Sequence, residues 1–128
     1  MAHPNASLMK RFFDAIVAGD RPTMAACLAD DVVMHVPGKN SVSGTYKGKE
    51  QFAAAMAKAD EITGGLQREL HDITASDDHV VALVGLKATR DGRTLTWNGA
   101  NVWHVRDGKL AEVWLVSDDQ DTTDVAFA

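Results

Sequence analysis

Residues 94–118, TLTWNGANVWHVRDGKLAEVWLVSD, decide the fold. Two β-rich runs flank Asp107-Gly108, and an Asp-Gly pair supplies the two positive φ angles of a type I′ turn, so the stretch predicts one long antiparallel hairpin. With a two-residue loop Arg106 opposes Lys109, Val105 opposes Leu110, Trp103 opposes Glu112, Asn101 opposes Trp114 and Trp97 opposes Asp118. Side chains alternate between faces. The last three pairs therefore share one face, and His104, Val102, Ala100, Ala111, Val113 and Leu115 share the other. The first face gathers all three tryptophans of the chain among an amide and two acids, which is the composition of a small-molecule pocket.

Upstream, three more joints divide the chain. Gly64-Gly65, Asp77-Asp78 and Asp91-Gly92-Arg93 bound strands over Leu66 to Ala75, His79 to Arg90 and Thr94 to Arg106, with Lys109 to Ser117 completing the meander. Strands this long must twist and curl rather than lie flat, and a curled sheet encloses space. The first third of the chain is helical in pattern. Leu8, Phe12, Ala15 and Ile16 follow helical spacing, with Asn5 or Ser7 as the cap and Gly19 as the stop. Asp20 and Pro22 open a second short helix that runs to about Leu28. Val32 to Val36 is a β-branched strand stopped by Pro37-Gly38. Asn40 to Gly48 reads as a loop or short hairpin before a third helix over about Lys49 to Ile62. The order α-α-β-α-β-β-β-β predicts an α+β fold in which three N-terminal helices cover one face of an antiparallel sheet. The tail from Asp118 to Ala128 either packs Phe127 back or frays.

At 128 residues the chain is expected to form one domain over 1–128, with one core and one pocket. Thirteen Lys and Arg against 18 Asp and Glu leave a net charge of -5, so there is no basic patch for a nucleic acid backbone. No run approaches the roughly 18 apolar residues of a membrane span, and Lys10, Arg11 and Asp14 interrupt the start where a signal peptide would be apolar; the expectation is a cytoplasmic protein with no membrane partner. Cys27, the single cysteine, falls in a helical run that buries it. No clustered cysteines, H-E-x-x-H or Gly-rich phosphate cradle occurs, so neither a metal nor a cofactor is expected.

Several stretches together resemble the SnoaL-like group of the nuclear transport factor two-like superfamily, relatives of polyketide cyclases and ketosteroid isomerase. They are RFFDAIVAGD at 11–20, LADDVVMHVPG at 28–38, GTYKG at 44–48, and DGKLAEVW at 107–114 followed by Asp118-Asp119. The resemblance covers nearly the whole chain. It implies a cone-shaped, strongly curved sheet wrapped on helices, an apolar pocket inside the cone, and a homodimer through the outer sheet face. It also implies positions for chemistry. Where ketosteroid isomerase has its carboxylate base, its tyrosine and its protonated acid, this chain has Val36, Phe12 and Asn101. Val and Phe do no proton chemistry, so that set is not retained. The acid-base positions of the SnoaL-like cyclases match Asp118, or Asp119 if the strand end is one residue longer, and His104.

Asp118 or Asp119 thus stands as candidate base, with His104 and His35 as candidate catalytic partners. Phe12, Val36, Tyr46, Trp97, Asn101, Trp103 and Trp114 are the candidate ligand contacts. His104 meets Asp118 only if a β-bulge shifts the register, and His35 turns outward if Val36 faces the pocket. An acidic run at a chain end is otherwise a solvated feature. Two functions follow from these residues. One is a cofactor-independent cyclase- or isomerase-type enzyme acting on a small apolar carbonyl metabolite; the other is a non-catalytic carrier of an apolar ligand. Epoxide hydrolysis is a minor alternative, since two acids and an Arg around a water are not evident. The catalytic reading requires an Asp and a His to converge inside one cavity.

Overall fold

The computed structural model describes residues 2–128. Helices α1 (Pro4–Ala18) and α2 (Arg21–Cys27) precede β1 (Leu28–Val36) and β2 (Gly44–Lys47). Helix α3 (Gly48–Thr63), strands β3 (Gln67–Ala75), β4 (His79–Arg90), β5 (Arg93–Arg106) and β6 (Lys109–Ser117), and helix α4 (Gln120–Ala126) follow. The fold is α+β, as expected. One six-stranded sheet has the order β2-β1-β6-β5-β4-β3, and its long meander matches the predicted strands to within a residue or so. Three details differ from the sequence reading. Strand β1 begins at Leu28 rather than Val32 and joins β6 in parallel, so the sheet is mixed; the 40–48 segment supplies β2, which pairs antiparallel with β1; and the tail forms α4.

Each helix is held by its sequence. Leu8, Met9, Phe12, Phe13 and Ala15 form the buried stripe of α1, and Phe52, Ala55, Ala59 and Thr63 that of α3, at three- and four-residue steps. Neither Asn5 nor Ser7 caps α1. His3 accepts the Asn5 backbone N–H at 3.0 Å, with Pro4 in the first turn, and the Asn5 carboxamide instead donates to the carbonyls of Ser76 and Asp77. That pair of bonds ties the start of α1 to the β3–β4 turn. Asp20 caps α2 through the Thr23 N–H, and Cys27 is buried at its end.

The β5–β6 turn has the expected conformation, with φ of 53° at Asp107 and 72° at Gly108. The pairing beyond it does not keep the simple register. A β-bulge at Ala111 leaves that residue unpaired between Leu110, which opposes Val105, and Glu112, which opposes His104. Every later residue of β6 is displaced by one. Trp103 opposes Val113, Asn101 opposes Leu115 and Gly99 opposes Ser117. The predicted Trp103–Glu112, Asn101–Trp114 and Trp97–Asp118 pairs are therefore corrected, and with them the face on which each β6 side chain lies.

Helix α4 closes the open end of the sheet. Asp119 caps it by accepting the Thr122 N–H at 3.1 Å, and Asp124 accepts from the Asn40 and Gln120 side chains and the Lys39 N–H. Arg90 donates to the carbonyls of Ala126 and Ala128, and Ser41 N–H donates to that of Phe127. Phe127 is buried with its ring edge-on to Trp97 at 5.7 Å, so the tail packs rather than frays. The Pro37-Gly38 turn presses directly on this helix. A Cβ at Gly38 would displace the movable ends of the Gln120 and Asp124 side chains, and its φ of 91° strains any residue other than glycine.

Candidate ligand cavity

The concave face of the sheet, α1, α3 and α4 enclose a cavity of about 160 Å³. Alternation on β5 turns Trp97, Gly99, Asn101 and Trp103 inward, and the bulge turns Val113, Leu115 and Ser117 inward beside them. Phe12 and Phe52 form the floor with Trp103, their ring centroids 5.4 Å and 6.1 Å from the indole. Trp97 and Phe127 wall the other end. Gly99 leaves space where any side chain would crowd, since a Cβ there would meet the Val116 carbonyl at 3.0 Å. A volume of this size holds a ligand about as large as one aromatic ring.

Of the residues singled out in the sequence, Phe12, Val36, Trp97, Asn101 and Trp103 line this space together. The other candidates do not. Tyr46 packs on the core edge and donates its hydroxyl to the Val42 carbonyl at 2.7 Å, which fixes the loop before β2. Trp114 lies on the outer sheet face, 40% exposed, stacked on His35 at 5.4 Å. His35 also turns outward, its Nε2 2.6 Å from Glu112 Oε2. His104, exposed on the same outer face, stacks on His79.

The two acids have structural tasks. Asp118 accepts from the Asn98 backbone N–H at 2.9 Å and its side-chain amide at 3.2 Å, completing the edge where β6 leaves β5. Asp119 caps α4, and the hydrogen bonds from the Thr122 hydroxyl and N–H hold its carboxyl below the ordinary Asp value. A lowered carboxyl is a weaker base than free aspartate, the reverse of what proton abstraction requires. The bulge places His104 and Asp118 on one face, as the sequence argument required, yet they sit six positions apart along β5, about 20 Å. They do not converge.

Besides Phe52, Gly99 and the bulge-shifted Val113, Leu115 and Ser117, two polar contributors to the cavity escaped the sequence reading. Arg68 sits with Leu66 and Leu70 on the alternating face of the strand start, only 16% exposed, and its Nη1 donates to Asp60 Oδ1 at 3.2 Å and to the Leu66 carbonyl. The period-2 pattern Leu66, Arg68, Leu70 was the signal that could have shown it. The other is α4, whose Gln120, Thr123 and Phe127 cover the opening; a seven-residue polar helix has no readable apolar stripe. Among the described residues no three His, Cys, Asp or Glu side chains gather so as to hold a metal ion, and no helix is long and apolar enough to cross a membrane.

Fold and cavity together define an α+β domain whose curved sheet closes on helices around an apolar cavity. The chain belongs to the SnoaL-like domain family, which matches residues 9–113. It is 30% identical over 108 residues to an uncharacterised protein of Mycobacterium tuberculosis, covering 83% of this chain and 82% of that one. Among solved structures it is similar to Bal32a from a soil-derived mobile gene cassette, with TM-score 0.93, 24% identity, and 98% and 97% of the two chains covered. A cystatin-like fold protein of unknown function from Xanthomonas campestris gives TM-score 0.87 at 30% identity, covering 96% and 97%.

Proposed function

We propose that this SnoaL-like protein binds a small, largely apolar metabolite in the cavity and does no proton-transfer chemistry there. One observation carries the reading: the cavity lining contains no Asp, Glu, His, Tyr, Lys or Cys. General acid-base catalysis needs a titrating group within hydrogen-bond reach of the reacting atom. The three positions where an isomerase would place such groups hold Phe12, Val36 and Asn101, all facing the cavity and none able to exchange a proton near neutral pH. The alternative is a cyclase- or isomerase-type enzyme acting on a small apolar carbonyl metabolite, the activity type that the match to the SnoaL-like family supports. Screening for small apolar compounds that raise the melting temperature tests the proposal, since a ligand that binds only the folded state stabilises it. Binders recovered unchanged after long incubation support it; conversion of any binder, lost in Asn101→Leu, would sink it.

The outer sheet face supports a second proposal, homodimerisation. Leu83, Ala100 and Val116 lie in one row across β4, β5 and β6, beside the row Val81, Val102 and Trp114. Leu83, Trp114 and Val116 are 37%, 40% and 52% exposed, an apolar patch that a second copy of the same face would cover. Sedimentation should give a dimer for the wild type and a monomer for Val116→Lys; a wild-type monomer at tens of micromolar refutes the proposal.

A further inference from the structure

Among the described residues Arg68 is the one ionisable residue that lines the apolar cavity, and it also borders an open groove with Glu69, Lys87 and Asp118. A guanidinium has five N–H donors in a planar fork, and a cation removed from water is stable only where those donors find acceptors. Here both protein acceptors sit on Nη1. Asp60 Oδ1 is shared with the Leu66 N–H, and the Leu66 carbonyl lies at 3.3 Å. The Nε and Nη2 donors have no protein partner among the described residues and, since no buried polar side-chain atom is left unpaired, they stay accessible to water or a ligand. Those two groups form the edge of the guanidinium that grips a planar anion through two parallel bonds.

The second polar fixture is Asn101. Its half-buried carboxamide makes no side-chain hydrogen bond among the described residues and faces the same cavity. Arg68 is level with Leu86 and Trp97, whereas Asn101 lies four residues further along β5, about 13 Å by strand rise, next to the Trp103 and Phe12 floor. The lining between them is mainly apolar and aromatic.

We propose, building on the binding reading above, that the ligand is a single-ring aromatic carrying an anionic oxygen gripped by Arg68 and a hydroxyl or carbonyl that meets Asn101. The anion is a carboxylate or an ionised phenol. Asp60, the carboxylate nearest the fork, already spends its near oxygen on Arg68 Nη1 and Leu66 N–H, so the entering anion takes the free edge rather than competing for Nη1.

The test uses toluene, 4-hydroxybenzoate, its methyl ester and 4-nitrophenol, titrated by calorimetry at pH 8 into the whole protein. The expected result is at least tenfold tighter binding of 4-hydroxybenzoate than of the ester if the anion is a carboxylate, or of ionised 4-nitrophenol than of toluene if it is a phenolate. Arg68→Met should abolish that preference and leave toluene binding within about twofold. Should the variant not fold, the Arg68 Nε–H resonance of wild type must shift on adding the acid or phenolate and not on adding toluene. Toluene binding without any preference for the anions overturns this inference alone. No binding of any probe overturns it together with the binding reading.

Discussion

Replacing Val113 with Thr exchanges one methyl for a hydroxyl of nearly the same volume, so it probes polarity at a site without opening a cavity. Val113 has no exposed surface and faces the Trp103 side of the sheet, while Val116, three residues on, is 52% exposed on the outer face. A hydroxyl buried without a partner costs about 1–3 kcal/mol by protein mutational data, whereas a surface exchange stays within about 0.5 kcal/mol. Urea denaturation at fixed protein concentration measures both. For a slope in the usual range of about 1–3 kcal/mol per molar, a loss of about 2 kcal/mol lowers the midpoint of Val113→Thr by about 1 M with the slope unchanged. Val116→Thr, whose hydroxyl in the proposed dimer meets the face of a partner copy rather than a fully enclosed site, should lower the midpoint by less than Val113→Thr does. The comparison tests the bulge at Ala111 directly, because without it Val113 would lie on the face opposite the tryptophans. A midpoint for Val113→Thr within 0.2 M of wild type, or a larger loss for Val116→Thr, would refute the assigned faces.

Phe127→Ala should remove the edge-on contact with Trp97 and destabilise by about 3 kcal/mol, with red-shifted tryptophan emission; an unchanged melting temperature and spectrum would contradict a packed tail. Hydrogen bonds hold the carboxyls of Asp119 and Asp124 below the ordinary 3.8, so their contribution to α4 is complete above that value and lost as the pH falls through the lower folded values. Amide exchange at Thr123 and Phe127 should therefore be protected at pH 6 and accelerate, beyond the intrinsic pH effect, as the pH is taken well below 3.8; equal protection at both would count against the caps. Asp118→Asn should leave cavity binding within twofold, since its acceptors serve Asn98 and not the cavity, and a tenfold loss would reinstate it as a site residue.

Much of this protein is written locally in the chain. The Asp107-Gly108 turn, the length of the four meander strands, the helical stripes through Phe12 and Phe52 and the Gly stops at 19 and 64 all follow from rules acting within a few residues, and they are enough to name the α+β class. The inward face of β5 also follows from alternation alone, which is why Trp97, Asn101 and Trp103 could be grouped before the fold was known. Strand β6 is different. One unpaired residue, Ala111, reverses every side chain after it, and nothing in the run Lys109 to Trp114 marks that residue, because a bulge is chosen by how two strands fit a curved sheet rather than by local preference. That single displacement moves Trp114 and Asp118 out of the cavity and puts Val113, Leu115 and Ser117 into it. The same limit hid Arg68 and α4. Whether a cation on an alternating strand faces water or an enclosed space, and whether a polar seven-residue tail covers an opening, depends on partners from distant parts of the chain, here Asp60, Asn40, Gly38 and Arg90. Sequence determined the β3–β6 meander, its turns and one wall of the cavity; tertiary packing alone decided that β1 joins β6 in parallel and that the cavity is closed by α4, is lined by an arginine and has no carboxylate in its lining.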